Sequence, residues 1–173
     1  MKKTVIILSA LIVIAVAAIY AVNYFQLQQP MNQTIKSDPR NDGIDVSVRY
    51  SNYIDPSTLI YDLRKVSGSN SPSDVFRVLL QFADQIKKKR FSTIELAYKG
   101  KTKFKLDGSY FQSLGEEYGS QNPVYTMRTF PEHLKTPYGS EAYSGWSGGW
   151  LGVLNKQLED FNDFHKRWYL SEY

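Results

Sequence analysis

The sequence predicts a single α+β domain with a mixed or antiparallel sheet of about five strands and three helices, preceded by one N-terminal transmembrane helix. The first observation behind this prediction is an apolar run over residues 5–22, which is long enough to cross a bilayer. The second is the order of the segments after residue 43. Segments with the two-residue period of strands and segments with a helical period follow one another as β-β-α-β-β-α-β-α.

Residues 1–25 are predicted to be a membrane anchor. A helix over residues 4–22 is about 28 Å long, close to the ~30 Å thickness of the bilayer hydrocarbon. Tyr20, Tyr24 and Phe25 then lie where an interfacial aromatic belt is expected. The length and the aromatic boundary together favour a single membrane-spanning helix.

The charges before the apolar run predict its orientation. Lys2 and Lys3 are the only charged side chains there, so the N-terminus is expected in the cytoplasm and residues 26–173 outside, in a periplasmic or extracellular space. The alternative is a cleaved secretory signal with a small-residue cleavage site ending at Ala17. The chain stays apolar over residues 18–22, which favours retention as an anchor.

The charge balance argues against nucleic-acid binding. Without Lys2 and Lys3, 19 basic residues stand against 17 acidic ones, a net charge of +2, whereas nucleic-acid binding needs basic residues clustered on one face. The one basic run, residues 87–90, is interpreted as the end of a helix, with contact to anionic lipid headgroups as the alternative. The sequence has no Cys. A lipoprotein anchor, a disulfide framework and a thiolate metal site are therefore excluded, and no cofactor is expected.

Residues 26–43 are interpreted as a polar linker. They are rich in Gln, Asn, Asp and Pro, with an apolar residue only at about every fourth position between residues 27 and 35. The exported domain is predicted to comprise residues 44–173. It begins with a half-buried strand over residues 44–50, which alternate between apolar and polar, and a more apolar strand follows over residues 58–63.

The clearest local pattern is a helix start at residues 71–74. Ser71 suits the N-cap, Pro72 suits the first helical position, and Asp74 completes a capping box. Apolar residues then recur on one helical face, so the helix is expected to run to about Lys89.

A β-hairpin is predicted next. Strands over residues 94–99 and 103–106 flank Gly100, which supplies the positive φ of a tight turn. Asp107 is then expected to cap a short helix that closes at Gly119.

The last third of the chain is expected to contain a strand over residues 124–130. An irregular stretch over residues 131–149 follows it. An amphipathic helix from residue 150 to about residue 168 is predicted to end the domain.

The nearest catalytic motif is Gly-Trp-Ser-Gly-Gly at residues 145–149, which fits the G-x-S-x-G pattern of serine hydrolases. Asp160 or Asp163, followed by His165, would complete a triad in α/β-hydrolase order. The context argues against it, because no buried strand precedes the serine and His165 lies about 27 Å further along a straight helix. A small serine hydrolase using Ser147, Asp163 and His165 is therefore the alternative hypothesis, and catalysis is not expected.

Other chemistry-bearing residues have structural interpretations. His133 and His165 are the only histidines, and nothing is spaced like a zinc motif, so no metal site is expected. Asp62 interrupts an apolar strand. We expect it on a partly solvated face, in an ion pair with Arg64 or with a neighbouring strand.

Residues 138–150 carry large aromatic rings among Gly and Ser, without the periodicity of a core segment. Rigid rings beside small residues are typical of contact surfaces. The alternative is that Trp146 and Trp150, four residues apart, pack under the start of the last helix. The predicted binding residues are four aromatic residues of this stretch and three polar residues that precede it in the chain: Tyr138, Tyr143, Trp146, Trp150, Gln121, Asn122 and Arg128.

These features predict a non-enzymatic envelope protein with a single membrane span. It would contact the membrane through residues 4–25 and present its α+β domain to a protein, a peptide or a cell-wall glycan. No nucleic-acid partner is expected.

Overall fold

The computed structural model describes the backbone of residues 2–172 and the side chains of residues 4–171. It is an α+β domain behind a long N-terminal helix. The helical segments are α1 (Lys2–Asn23), a π-helical turn (Tyr24–Gln28), α2 (Gln29–Ser37), α3 (Pro72–Gln85), α4 (Gly108–Glu117), α5 (Pro123–Thr129) and α6 (Trp150–Trp168), with short 3-10 turns at Pro39–Asn41, Phe130–His133 and Leu170–Glu172. The strands are β1 (Ile44–Ser51), β2 (Asp55–Val66), β3 (Thr93–Tyr98), β4 (Lys101–Asp107) and β5 (Leu134–Lys135).

The five strands form one mixed sheet in the order β1-β2-β3-β4-β5, which confirms the predicted fold class. β2 and β3 are parallel, with Thr58 beside Thr93, and α3 crosses between them. The other neighbouring pairs are antiparallel. Because β2 and β3 run in the same direction, the β1–β2 turn and the start of β3 lie at the same end of the sheet.

The core is built where α3 and α6 pack on one face of the sheet. The Tyr61 ring on β2 lies 6.0 Å from Phe82 of α3 and 6.0 Å from Trp168 of α6, measured between ring centroids. All three side chains are fully buried. Aromatic rings supply large buried areas, so this junction holds both helices on the sheet.

Most predicted elements are confirmed. The strands at residues 44–50, 58–63 and 103–106 lie within β1, β2 and β4. The strand at residues 94–99 lies in β3 except for Lys99, which is in the β3–β4 turn. The capping box of α3 forms as expected, since the Ser71 side chain accepts a hydrogen bond from the Asp74 N–H and the Asp74 carboxylate accepts one from the Ser71 N–H. However, α3 ends at Gln85, so the basic run at residues 87–90 follows the helix instead of closing it.

The turn between β3 and β4 forms a hydrogen bond with the carboxylate of Asp62. Gly100 has a φ of 86°, and its N–H donates to the Asp62 Oδ1 at 3.0 Å. Asp62 forms the predicted ion pair with Arg64 at 2.7 Å. Contrary to the expected partly solvated face, the Asp62 side chain is fully buried, because the β3–β4 turn and Arg64 cover it.

The predicted strand over residues 124–130 is wrong, because this segment is α5. Asn122 is its N-cap and accepts a hydrogen bond from the Val124 N–H at 2.9 Å, and Pro123 takes the first helical position. Such a start favours a helix.

The predicted polar linker over residues 26–43 is also wrong. Residues 4–37 form one continuous helix of 34 residues, through α1, the π-helical turn and α2. Leu27 and Met31 are fully buried in the hydrophobic core, and Ile35 packs against it. Apolar residues four apart lie on one helical face, so all three lie on the face that packs against the domain.

The same helix covers the outer edge of β1 with side-chain amides. Asn23 accepts a hydrogen bond from the Tyr50 N–H at 2.8 Å. Gln28 accepts one from the Val48 N–H at 2.9 Å and donates one to the Val46 carbonyl at 3.1 Å. An uncovered edge strand is a template for pairing with another chain. The helix therefore closes this edge of the sheet.

Candidate binding site

The loop before α6 separates the predicted binding rings into exposed and buried ones. Tyr138 is 96% exposed at the tip of a turn. Tyr143 is only 9% exposed; it stacks on Phe104 at 6.1 Å and donates a hydrogen bond to the Asp163 Oδ2 at 3.0 Å. The Arg167 guanidinium lies 5.2 Å from the Tyr143 ring. Tyr143 thus fastens the loop to α6 and is not placed for contact with a partner.

The two tryptophans of this loop are solvent-accessible. Trp146 is 41% exposed, and its indole N–H donates to the Asp160 Oδ2 at 2.6 Å. The Lys156 ammonium lies 5.9 Å from its ring centroid. Trp150, the first residue of α6, is 72% exposed. Trp146 therefore lies against the side of α6 and stays partly exposed, whereas Trp150 is not packed under the start of α6 as the alternative interpretation required.

Trp146→Ala is expected to change the stability of the protein only slightly. The ring is partly exposed and the substitution removes one surface hydrogen bond, so the cost should be about 1 kcal/mol or less. The thermal midpoint should therefore shift by no more than a few degrees. Ser147→Ala, one residue away on an exposed backbone, is the matched control. A large drop in the midpoint for Trp146→Ala alone would show that the ring belongs to the core.

The catalytic triad of the alternative hypothesis does not form. His165 is fully buried among aromatic rings, the nearest being Phe161 at 4.6 Å and Phe164 at 4.7 Å. Neither of its ring nitrogens has a hydrogen-bond partner within residues 4–171. A triad needs the acid to orient the imidazole, yet Asp163 instead accepts from Tyr143. Ser147 lies exposed in the loop.

Buried His165 is expected to make the protein sensitive to acid. Burial lowers the pKa of His165 from 6.5 to about 3. In the unfolded chain the imidazole takes up a proton near its ordinary pKa, so below about pH 6.5 protons favour the unfolded state. At about 1.36 kcal/mol per pH unit, lowering the pH to ~4.5 should reduce the free energy of unfolding by about 2.7 kcal/mol.

Urea unfolding of the wild type and of a His165 variant at a series of pH values between 6.5 and 4.5 measures this dependence, because carboxylates contribute equally to both proteins. His165→Phe keeps an aromatic ring and removes this titrating group, so the variant should lose less stability than the wild type between pH 6.5 and 4.5, by about that 2.7 kcal/mol. The slope that remains comes from groups such as His133, whose pKa is also lowered. An equal loss of stability in the variant would contradict the assignment to His165.

Of the three predicted polar residues, Gln121 lines a cleft between α3, α4 and α5. Its larger part has a volume of about 380 Å³ and a mostly apolar lining. An adjoining part of about 350 Å³ lies between α4, α5 and the turn that follows α5. Gln121 lines both parts. The side chains that give the larger part its apolar character are Phe76, Leu80, Leu114 and Met127. We call both parts together the α3–α5 cleft.

Polar groups stand at the rim of the α3–α5 cleft. Glu117 lines both parts, and Arg77 lines the larger one. Arg77 is held in place by an ion pair with Asp74 at 2.7 Å. In the smaller part, the His133 ring stacks on Tyr110 at 3.7 Å, and partial burial lowers the pKa of His133. An apolar floor with few polar groups is typical of sites that bind a small ligand or an apolar side chain.

The other two predicted polar residues, Asn122 and Arg128, do not line the α3–α5 cleft and have local roles in α5. Asn122 caps α5, and the Arg128 guanidinium lies 5.3 Å from the Tyr125 ring. Sequence reasoning missed the apolar lining altogether. Phe76, Leu80 and Met127 belong to two helices, and one of those helices was predicted as a strand.

Within the part of the chain that the structure describes, no group of three or more His, Asp or Glu side chains could hold a metal ion. Comparison with protein-family models, with curated proteins and with solved structures finds no match to this chain. The functional interpretation therefore depends on the α3–α5 cleft, the exposed rings and the apolar helix α1.

Proposed function

We propose that this protein is a single-pass envelope protein whose α+β domain lies outside the cytoplasm and binds a peptide segment of a partner protein in the α3–α5 cleft. The observation that carries the proposal is the cleft itself, an open apolar depression of about 380 Å³ between three helices. Volumes of this order accommodate small ligands and anchoring side chains.

The apolar helix supports anchoring in a membrane. The helix Thr4–Ser37 is long and apolar enough to cross a bilayer, and its most apolar 18-residue window is not buried by any part of the described chain. Tyr24 and Phe25 are exposed immediately after the apolar segment, where aromatic side chains favour the interface between headgroups and hydrocarbon. Lys2 and Lys3 before the apolar segment favour a cytoplasmic N-terminus.

The chemistry of the cleft supports a peptide as the ligand. Met127 is an adaptable apolar side chain that can pack against ligands of different shape. Glu117 and Gln121 at the rim offer a carboxylate and an amide to a peptide backbone. An apolar anchor residue would enter the floor, while the flanking backbone would bond at the rim.

Selection from a random peptide library against the full-length protein in lipid nanodiscs tests the binding proposal. We expect enriched peptides with a large apolar residue. Ser73→Phe places a ring at the edge of the cleft from an exposed position and should abolish their binding. Ser69→Phe, an exposed position that does not line the cleft, is the matched control. Failure to enrich any peptide, or equal binding by the Ser73→Phe variant, would overturn the proposal.

Fractionation and labelling test the anchor. Full-length protein should resist carbonate extraction and retain its N-terminal residues in mass spectrometry. The sequence has no Cys, so a single Ser140→Cys substitution at an exposed site gives a clean topology reporter. An impermeant maleimide should label it in intact cells. A soluble species beginning near Ala18 would instead indicate a cleaved signal.

A glycan is the second candidate ligand, and the exposed rings favour it. Tyr138, Trp146 and Trp150 present ring surface to solvent, and aromatic rings combine an apolar face with a polar edge that suits polar ligands. Binding of cell-wall fragments that is lost in Trp150→Ala and kept in Ser73→Phe would favour the glycan over the peptide.

A further inference from the structure

The β1–β2 turn lies beside the end of the apolar helix. The Tyr53 ring in this turn is 5.0 Å from the Tyr20 ring of α1, and the Asn23 side-chain amide donates to the Tyr53 carbonyl at 2.8 Å. Ile54, the next residue, is 68% exposed. With α1 spanning a bilayer, residues 20–23 lie at its interface, so the turn lies there as well.

The basic run at residues 87–90 lies at the same end of the domain. It connects α3 to the start of β3, and β3 begins beside the first half of β2, close to the β1–β2 turn. The Lys89 Nζ donates to the Gln26 side-chain carbonyl at 3.2 Å. Gln26 is four residues beyond Val22, which is about 6 Å along a helix. Lys89 therefore lies within reach of lipid headgroups.

Most cations of this run are turned to solvent. Lys87, Lys88 and Arg90 are exposed. Lys87 forms an ion pair with Asp84 at 2.8 Å, and Arg90 donates to the Gln112 side-chain carbonyl at 2.6 Å. The Arg90 partner is neutral, so its positive charge is not compensated by that hydrogen bond.

We propose that the Tyr53–Ile54 turn and the basic run at residues 87–90 form a juxtamembrane surface that binds the anionic lipid headgroups of the membrane that α1 spans. The inference rests on the proposed membrane anchor. The membrane is the partner of this surface because the helix is unbroken from Thr4 to Ser37 and packs on the domain through Leu27 and Met31, which holds the surface beside the bilayer. Basic segments beside a membrane span attract anionic lipids, and Ile54 adds an apolar contact at the interface.

Fluorescence quenching in vesicles tests this proposal. Full-length protein with a fluorophore on Ser92→Cys, an exposed position two residues from Arg90, is inserted into vesicles that contain a headgroup-spin-labelled lipid. The vesicles consist of phosphatidylcholine alone or of equal parts phosphatidylcholine and phosphatidylglycerol. Quenching should be stronger with phosphatidylglycerol and should weaken as salt screens the charges.

Two charge variants decide the outcome. In the first, the four residues Lys87, Lys88, Lys89 and Arg90 are replaced by Gln, and the extra quenching with phosphatidylglycerol should be lost. The matched control variant should keep the extra quenching. In it the same substitution is made at four lysines at or toward the opposite end of the sheet: Lys65, Lys99, Lys101 and Lys103. Equal melting curves would confirm that both variants are folded.

The results separate this inference from the anchor on which it rests. Protein that resists carbonate extraction but is quenched equally in both kinds of vesicle overturns the headgroup surface and leaves the anchor standing. Loss of lipid-dependent quenching in the control variant also overturns it, since general attraction by net charge would then explain the effect. Protein that carbonate extracts from the vesicles overturns the anchor and the inference together.

Discussion

Trp168→Ala is expected to lower the free energy of unfolding by about 3–5 kcal/mol, the usual cost of truncating a fully buried Trp. The Trp168 ring stacks on Phe164 at 5.2 Å and contacts Tyr61 on β2. Its indole N–H donates to the Ala97 carbonyl on β3 at 3.0 Å. The substitution leaves a cavity between α6 and the sheet and also leaves that carbonyl without its donor.

Urea and thermal unfolding of the full-length protein measure this effect. For a domain of this size the midpoint should fall by about ten degrees or more. Trp150→Ala is the matched control, because the same side chain is removed from the exposed start of the same helix. Near-equal stability of the two variants would show that α6 does not depend on Trp168 for its attachment.

The second large effect is expected from residues 23–43. A fragment of residues 23–173 should unfold cooperatively, whereas a fragment of residues 44–173 should be at least about 5 kcal/mol less stable, comparable with the whole stability of many domains. The shorter fragment loses the burial of Leu27 and Met31, each worth about 2–5 kcal/mol. It also exposes the edge of β1.

Point substitutions in the full-length protein separate packing from truncation. Leu27→Ala should cost about 2–5 kcal/mol, while Lys36→Ala, exposed on the same helix, should be close to neutral. A fragment of residues 44–173 as stable as the longer one would show that the domain begins at residue 44, as the sequence suggested.

Sequence reasoning located the sheet well because its strands alternate strongly. Residues 44–50 have one buried and one more exposed face, and this period of two is visible without any tertiary information. In β3 the alternation of residue types predicted the strand, although Ala97 on the more polar face is buried as well. The start of α3 could also be predicted from local sequence, since a capping box involves only residues 71–74.

The missed elements depend on partners that are distant in sequence. Leu27 and Met31 have helical spacing, but too few apolar neighbours to predict burial before β1 is known to lie beside them. Tyr143 looked exposed because Gly and Ser surround it, yet Phe104 and Arg167 enclose its ring from other elements. The α3–α5 cleft likewise exists only once three helices have packed together.

In the proposed function, the unbroken helix would also determine where a partner is met. A domain on a flexible linker samples a volume that grows with the length of the linker, but here the residues after the apolar segment are packed on the domain itself. With α1 spanning a bilayer, the cleft stays at a fixed height above it, and encounters occur in a thin layer. A partner embedded in the same membrane then searches in two dimensions and gains in effective concentration. A soluble partner has to present its peptide segment at that height.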